Sequence, residues 1–217
     1  MKGMMAERIP DCTGVILAGG QAARLGGLPK GLLRLGGEAI AARSLRLFGE
    51  IFEAALVVAN DAAPYAAFGA KVIADAIPGK GAPGGLHAAL AAARTGWIFT
   101  AACDMPFLSG EAIRFLWAQG GAAPAVAVHW GGRLEGLFAF WSRACLPEVE
   151  RLLREGDPSL WRIATAVGAR VVPEAAWRAF DPDGRAFANA NTPEDLARLG
   201  LEVPSSASNG PDRSASR

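Results

Sequence analysis

Six side chains in this sequence are of the right type and spacing to handle a phosphorylated ligand: Arg24, Lys30, Asp75, Asp104, Asn189 and Asn191. Arg24 and Lys30 stand in the stretch Leu17-Ala18-Gly19-Gly20-Gln21-Ala22-Ala23-Arg24-Leu25-Gly26-Gly27-Leu28-Pro29-Lys30, which holds four glycines in fourteen residues. Glycines let successive backbone N–H groups converge on an anion, and two cations add full charge beside those partial ones. The stretch reads as a cradle for a polyphosphate. The chain has only four lysines (Lys2, Lys30, Lys71, Lys80) against eighteen arginines, so a lysine in this loop is not background. It is not a P-loop, which needs Gly-Lys-Ser/Thr; here Pro29 precedes Lys30 and Gly31 follows it.

Asp104 follows an apolar run and precedes Pro106, at the expected carboxyl end of a buried strand. A carboxylate there is placed to hold Mg²⁺, which binds through one or two carboxylates, substrate phosphate oxygens and water. Asp75 sits equivalently after a shorter run. Asn189 and Asn191 alternate along what reads as a last strand, so only one of the two is expected to face the site. A competing motif is Gly79-Lys80-Gly81-Ala82-Pro83-Gly84, a literal G-x-G-x-x-G with Asp104 twenty residues on. That spacing suits a dinucleotide site. Against it, Asp75-Ala76-Ile77-Pro78 separates the glycines from the strand, and Pro83 stiffens the turn.

The elements that must position these groups alternate. Strands are expected at Thr13 to Leu17, Ala55 to Ala59, Lys71 to Ala74 and Trp97 to Cys103. Helices are expected at Ala39 to Phe48, from the Pro78–Gly85 loop to about Arg94, and from a Ser109 cap to about Gln119. Such alternation predicts an α/β, three-layer α/β/α fold with a mostly parallel, Rossmann-like sheet. Ligands in these sheets bind outside the carboxyl ends of the strands, where the first loop, Asp75 and Asp104 all fall. The second half reads as a hairpin (Ala125 to His129 and Leu134 to Trp141), a helix to about Arg154, and a helix capped at Asp157-Pro158. A strand follows at Ala169 to Val172, then another at Phe187 to Asn191, before a helix capped by Thr192 with Pro193 at its first position.

A length of 217 residues, 51% apolar and 20% charged, bounds one globular domain, expected over 12–203 with flexible termini at 1–11 and 204–217. A net charge of +1 without a basic run argues against nucleic acid as a partner. With no long apolar stretch and no hydrophobic leader, no membrane partner is expected and a cytoplasmic location is. Cys12, Cys103 and Cys145 are odd in number and widely spaced, as reduced thiols are. His87 and His129 read as structural. Arg133, Glu135 and Arg162 read as surface charges that only an acceptor could promote.

The pattern L-A-G-G-x3-R-x-G-x3-K, an acidic residue at Asp75, glycines from Gly79 to Leu86, Cys103-Asp104-Met105-Pro106 and Asn189-Ala190-Asn191-Thr192-Pro193-Glu194-Asp195 occur in order. Together they resemble the molybdenum cofactor guanylyltransferases, nucleotidyltransferases with a glycosyltransferase-A-like fold. The resemblance spans Thr13 to Leu199. It implies GTP held at Leu17, Ala18, Gly19, Gly20, Lys30, Asp75 and Asp104, with Arg24, Lys30 and Asp104 as the catalytic groups. It implies Mg²⁺ on Asp104, with Asn189 and Asn191 as further candidate ligands. It also implies transfer of GMP to molybdenum-molybdopterin with release of pyrophosphate, and a molybdoenzyme apoprotein or its chaperone as recipient. Two positions depart from the family: Val58 where an asparagine is usual, with Asn60 two residues on, and Gly136 where a proline is usual. A cytidylyl- or sugar-nucleotidyltransferase, an NAD-binding oxidoreductase and a non-enzymatic pterin carrier are the alternatives.

Overall fold

Cys12–Leu17 (β1) is buried at every position, as a strand inside a sheet covered on both faces must be. It pairs in parallel with Ala54–Val58 (β2), which pairs in parallel with Lys71–Ile73 (β3). On its other side β1 pairs in parallel with Trp97–Ala102 (β4). The computed structural model describes residues 7–19, 24–25 and 27–204, with the backbone alone at 24 and 25.

The second half adds Ala125–Trp130 (β5), Arg133–Leu134 (β6), Ala139–Ser142 (β7) and Arg170–Val172 (β8). The full order is β6-β5-β7-β4-β1-β2-β3, with β8 parallel to β5 and β7 inserted antiparallel between β4 and β5. Seven α-helices among the described residues accompany the sheet: Ile40–Ile51 (α1), Gly81–Ala92 (α2), Gly110–Gln119 (α3), Leu146–Glu155 (α4), Leu160–Ala166 (α5), Glu174–Arg178 (α6) and Pro193–Leu199 (α7). Alternate strand residues feed two cores. Ile16 and Phe99 join Phe48 of α1, Ile113 of α3 and Trp177 of α6, while Val15 and Ile98 join Leu86 of α2 and Leu152 of α4. Gly14 permits the first core to close: a Cβ there would lie 2.6 Å from the Phe48 ring. A third, smaller core of Leu33, Ile40, Ala190, Leu199 and Leu201 ties the segment after Lys30 to the segment around Asn189 and Asn191. The antiparallel pairing of Leu201–Glu202 with Arg34–Leu35 reinforces that tie.

Four sequence expectations need correction. The hairpin turns at Gly131 and Gly132, both at positive φ, but its second strand does not run from Leu134 to Trp141. It breaks at Glu135–Phe138, where the Phe138 N–H donates to the Glu135 carbonyl at 3.0 Å. A Cβ at Gly136 would come within 2.8 Å of Leu160, so the break packs directly against α5. Helix α5 is capped by Ser159, whose hydroxyl accepts from the Arg162 N–H at 3.1 Å; the Asp157 carboxylate is engaged by Lys80 Nζ at 2.5 Å instead. Residues 187–191 form no strand, because Asp195 captures the Asn191 and Thr192 N–H groups that a ladder would use. Residues 7–11, read as a loose terminus, are tied to the body: Ile9 is buried and its N–H donates to the Ile51 carbonyl at 2.8 Å.

Candidate active site

Chain connections leave β1 toward β2 on one side and reach β4 on the other, so a crevice opens at the carboxyl ends of these strands. It holds a cavity of about 360 Å³. Much of its wall is small: Gly19 after β1, Gly81, Ala82 and Gly85 at the start of α2, and Ala102 at the end of β4. Bulk is excluded there by geometry. A Cβ on Gly19 would sit 3.3 Å from the Asp75 carboxylate, and one on Gly85 would sit 3.2 Å from the Leu17 side chain.

One cation organises the polar side of this cavity. Lys30 follows the short pairing of Arg24–Leu25 with Leu28–Pro29 and opens a single 3₁₀ turn, Lys30–Leu32. It is only 3% exposed. Its Nζ donates to Asp104 Oδ2 at 2.9 Å and to Asn191 Oδ1 at 2.6 Å, joining three segments distant in sequence. An ammonium has three N–H donors, so one remains for a ligand oxygen. The pair lies in a low-dielectric wall, where each charge acts far more strongly than in water.

Asn191 is held in turn by helix α7. Thr192 and Asp195 form a capping box, and Asp195 Oδ2 accepts from the Asn191 N–H at 2.9 Å. Arg198, then the Asn191 and Thr192 N–H groups, hold the Asp195 carboxyl down at about 2. The Asn191 amide nitrogen donates to Asn189 Oδ1 at 2.9 Å. Both asparagines line the cavity, which corrects the expectation of opposite faces; that expectation needed a strand, and none forms.

Asp75 stands at the far side. Asn60 brackets it, accepting from the Asp75 N–H at 3.0 Å and donating to Oδ2 at 3.4 Å. The other oxygen, Oδ1, is buried without a hydrogen-bond partner. Burial pushes the Asp75 carboxyl up, against the hydrogen bond from Asn60. An orphaned buried acceptor in a cavity wall marks a place for a ligand donor.

The expected residues thus gather unequally. Leu17, Gly19, Lys30, Asp75, Asp104, Asn189 and Asn191 line one cavity. Ala18 does not, because its N–H is spent on the Val58 carbonyl at 2.8 Å. Gly20 and the Arg24 side chain lie outside the described residues. The competing glycine segment joins the same cavity through Gly81, so it shapes this site and makes no second one. Cys103 also lines it, but burial pushes its thiol up to about 12 and keeps it protonated. Glu135, read from the sequence as a surface charge with at most an acceptor-side role, is buried and lines the cavity, as do Met105 and Leu137, which sequence reasoning did not place there. The one available signal was a lone acid inside the apolar run from Leu134 to Trp141.

The donor set fits Mg²⁺. No cluster of three or more His, Cys, Asp or Glu side chains exists among the described residues, and Mg²⁺ does not require one. Asp104 offers a hard carboxylate, and the Asn189 and Asn191 carbonyls each keep a second lone pair after the bonds above.

A family model for the MobA-like NTP transferase domain matches residues 14–171. The chain belongs to this family. Among similar proteins is a probable molybdenum cofactor guanylyltransferase of Pelotomaculum thermopropionicum, 34% identical over 188 residues that cover 87% of this chain and 91% of that protein. A molybdenum cofactor guanylyltransferase of Cereibacter sphaeroides is 36% identical, over 85% of this chain and 93% of its own. Among solved structures, the molybdopterin-guanine dinucleotide biosynthesis protein A of Archaeoglobus fulgidus superposes with a TM-score of 0.69 at 28% identity, covering 86% of this chain and 96% of that one. The structure of 4-diphosphocytidyl-2C-methyl-D-erythritol synthase from Anaerococcus prevotii shares the fold at 12% identity and a TM-score of 0.62, covering 87% of this chain and 93% of that one. As a MobA-like NTP transferase the chain is a nucleotidyltransferase, and the strand ends described above are where such an enzyme of this fold would work. No helix among the described residues is long and apolar enough to cross a membrane.

Proposed function

We propose that the chain transfers GMP from GTP to the terminal phosphate of molybdenum-molybdopterin in the cytoplasm. The observation that carries this reading is the junction of Lys30, Asp104 and Asn191 beside a cavity whose far wall holds the orphaned Asp75 oxygen. The relatives are molybdenum cofactor guanylyltransferases by name, which supports a guanylyl donor and a molybdenum-cofactor acceptor. A triphosphate laid between Gly19 and Lys30 meets the free Lys30 N–H. Its base then reaches Asp75. Guanine presents adjacent N1–H and 2-amino donors, the pair a carboxylate accepts best; cytosine, uracil and adenine lack that pair.

In the reaction an oxygen of the acceptor phosphate attacks the α-phosphorus in line. One P–O bond forms, the bond from the α-phosphorus to the bridging oxygen breaks, and pyrophosphate leaves with the electron pair. The acceptor oxygen is already ionised, so no base need remove a proton. Positioning and charge neutralisation do the work. Lys30 holds an oxygen of the triphosphate and fixes Asp104 and Asn191. Asp104, with Asn189 and Asn191, would hold Mg²⁺, which when bound would offset negative charge on the phosphate oxygens. Arg24 is assigned to the same triphosphate from the sequence pattern alone.

Calorimetric titration with GTP, CTP, ATP and UTP in Mg²⁺ tests this. GTP is expected to bind tightest, by about tenfold or more, a gap of about 1.4 kcal/mol. That binding should weaken without Mg²⁺ and in Asp104→Ala. A preference for CTP would keep the chemistry and remove the assignment of guanine to Asp75. Failure to bind any triphosphate would overturn the reading.

A further inference from the structure

The cavity at the strand ends has unlike walls. On the β5 side it shares Glu135 and Asn189 with a second cavity of about 510 Å³. Beside Asp75 its wall is the start of α2, where Gly81, Ala82 and Gly85 line it. A Cβ on Gly85 would lie 3.2 Å from Leu17 and 3.7 Å from the orphaned Asp75 oxygen, so this turn and Asp75 bound one narrow space. The turn holds its own shape poorly. It reads Gly81-Ala82-Pro83-Gly84, with Gly79 and Gly81 at positive φ on either side of Lys80. Glycine and proline are the weakest helix formers, and Pro83 brings no N–H. Lys80 holds the N-cap position but gives no side-chain cap, and the Gly84 N–H reaches its carbonyl only at 3.4 Å. Further along, Leu86, Ala89 and Leu90 are buried in the core shared with α4, whereas Gly81 is exposed and Ala82 and Pro83 are half-buried.

Support for the turn comes from a distance. Lys80 does not line the cavity; its Nζ donates to the Gly156 carbonyl at 3.0 Å and to Asp157 Oδ1 at 2.5 Å, in the link between α4 and α5. Gly84 makes room for it, since a Cβ there would lie 3.0 Å from Lys80 Cβ. The anchor is firm, because α4 buries Val149, Leu152 and Leu153 and α5 buries Ile163 and Ala164. The Asp157 side chain is 83% exposed, and an ion pair so solvated adds little stability of its own. What two acceptors on one link do fix is where the lysine, and the turn it belongs to, must sit. We infer that Lys80 is a positioning residue for the nucleotide: it pins the weak start of α2 to the α4–α5 link and holds Gly81, Ala82 and Gly85 at the spacing from Leu17 and Asp75 that a planar base fills. The inference rests on the nucleotidyl-transfer reading. It gives one of only four lysines in the chain a reason to stand inside the glycine segment.

Calorimetry of the full chain with GTP and, separately, with inorganic tripolyphosphate, both in Mg²⁺, tests this. Tripolyphosphate carries the charge of the nucleotide and no base. Lys80→Met keeps an unbranched side chain and removes the donors. It should weaken GTP by about tenfold, because an unpinned wall must be ordered when the base arrives. Tripolyphosphate should bind at the wild-type value, because the Lys30 side of the cavity is untouched. Lys80→Arg still presents N–H donors to both acceptors and should restore most of the GTP affinity. Equal GTP binding by Lys80→Met and wild type would make the contact idle. Parallel loss of GTP and tripolyphosphate would make Lys80 a phosphate contact or a general support of the fold. Either result overturns the inference, as does a Lys80→Arg chain that binds GTP no better than Lys80→Met. Failure of the wild-type chain to bind GTP would instead sink the nucleotidyl-transfer reading, and this inference with it.

Discussion

The two cavities that meet at Glu135 and Asn189 are built in opposite ways. The one at the ends of β1 to β4 is walled largely by backbone and small side chains, so its polarity is concentrated in a few groups: Asp75 on one side, and Lys30 joined to Asp104 and Asn191 on the other. The one beside β5 is walled by Trp130, Phe107, Phe187 and arginines, so its polarity is spread over many groups. The difference teaches where single substitutions should matter. A site made of backbone and a few charges has no redundancy; a site made of several cations and rings has much.

The largest expected effect follows from that contrast. Lys30→Met removes the single cation that joins Asp104 to Asn191, and should lower pyrophosphate release by about 10²–10³-fold, as loss of one preorganised electrostatic group does. The chain should stay folded, because Asp104 then faces a cavity that water can fill. Circular dichroism alongside the release assay checks both halves of the statement. Near-normal turnover in the variant would erase the distinction between the two cavities.

The legible part of this molecule follows the same divide. The β1–β4 half could be read from sequence because buried parallel strands are continuous apolar runs and their ends are punctuated by glycine or a lone acid. Loop and strand order then placed Lys30, Asp75 and Asp104 together without any side-chain detail. The second half resisted. The hairpin reading ran straight through Glu135, because the apolar run from Leu134 to Trp141 is broken only there and at Gly136, and Gly136 gave no sign of its contact with Leu160. Asn189 and Asn191 looked like strand residues until Asp195 took their neighbouring N–H groups. Ala18 sits in the right loop, yet its N–H belongs to the sheet. In each case a long-range contact, invisible in a local window, decided the outcome.

Asp75 sharpens the comparison by its pH dependence. Its carboxyl is raised in the fold by burial, so the folded chain holds that proton more tightly than the unfolded chain does. Stability from this group is therefore present at low pH and is lost as pH rises from the ordinary carboxylate value of 3.8 through the raised one. Asp75→Asn removes the loss. At pH 7 the variant should melt higher than wild type while its preference for GTP over CTP falls, and near pH 3 the two melting temperatures should converge. Thermal melts at both pH values with paired calorimetry measure this. A variant that melts lower at pH 7 would show that Asp75 is a structural acceptor, no different in kind from the polar groups of the second cavity.

The smallest effect probes the joint between the two regions. Helix α7 carries Arg198 and Leu199 into the second cavity, and the residue before its cap, Asn191, into the first. Thr192→Ala removes the hydroxyl that accepts from the Asp195 N–H at 3.2 Å and should cost about 1 kcal/mol, or about 2–4 °C in melting temperature for a chain of this size. Asp195 keeps its bond from Arg198, so the helix should persist. Asn191 then loses part of its anchorage, Lys30 loses part of its orientation, and turnover should fall a few-fold with little change in GTP affinity, because the phosphate-binding cation itself remains. A drop in melting temperature with unchanged turnover would mean that Asn191 finds Lys30 without the cap. The alignment of the two cavities would then rest on the Leu33–Ala190–Leu201 core alone.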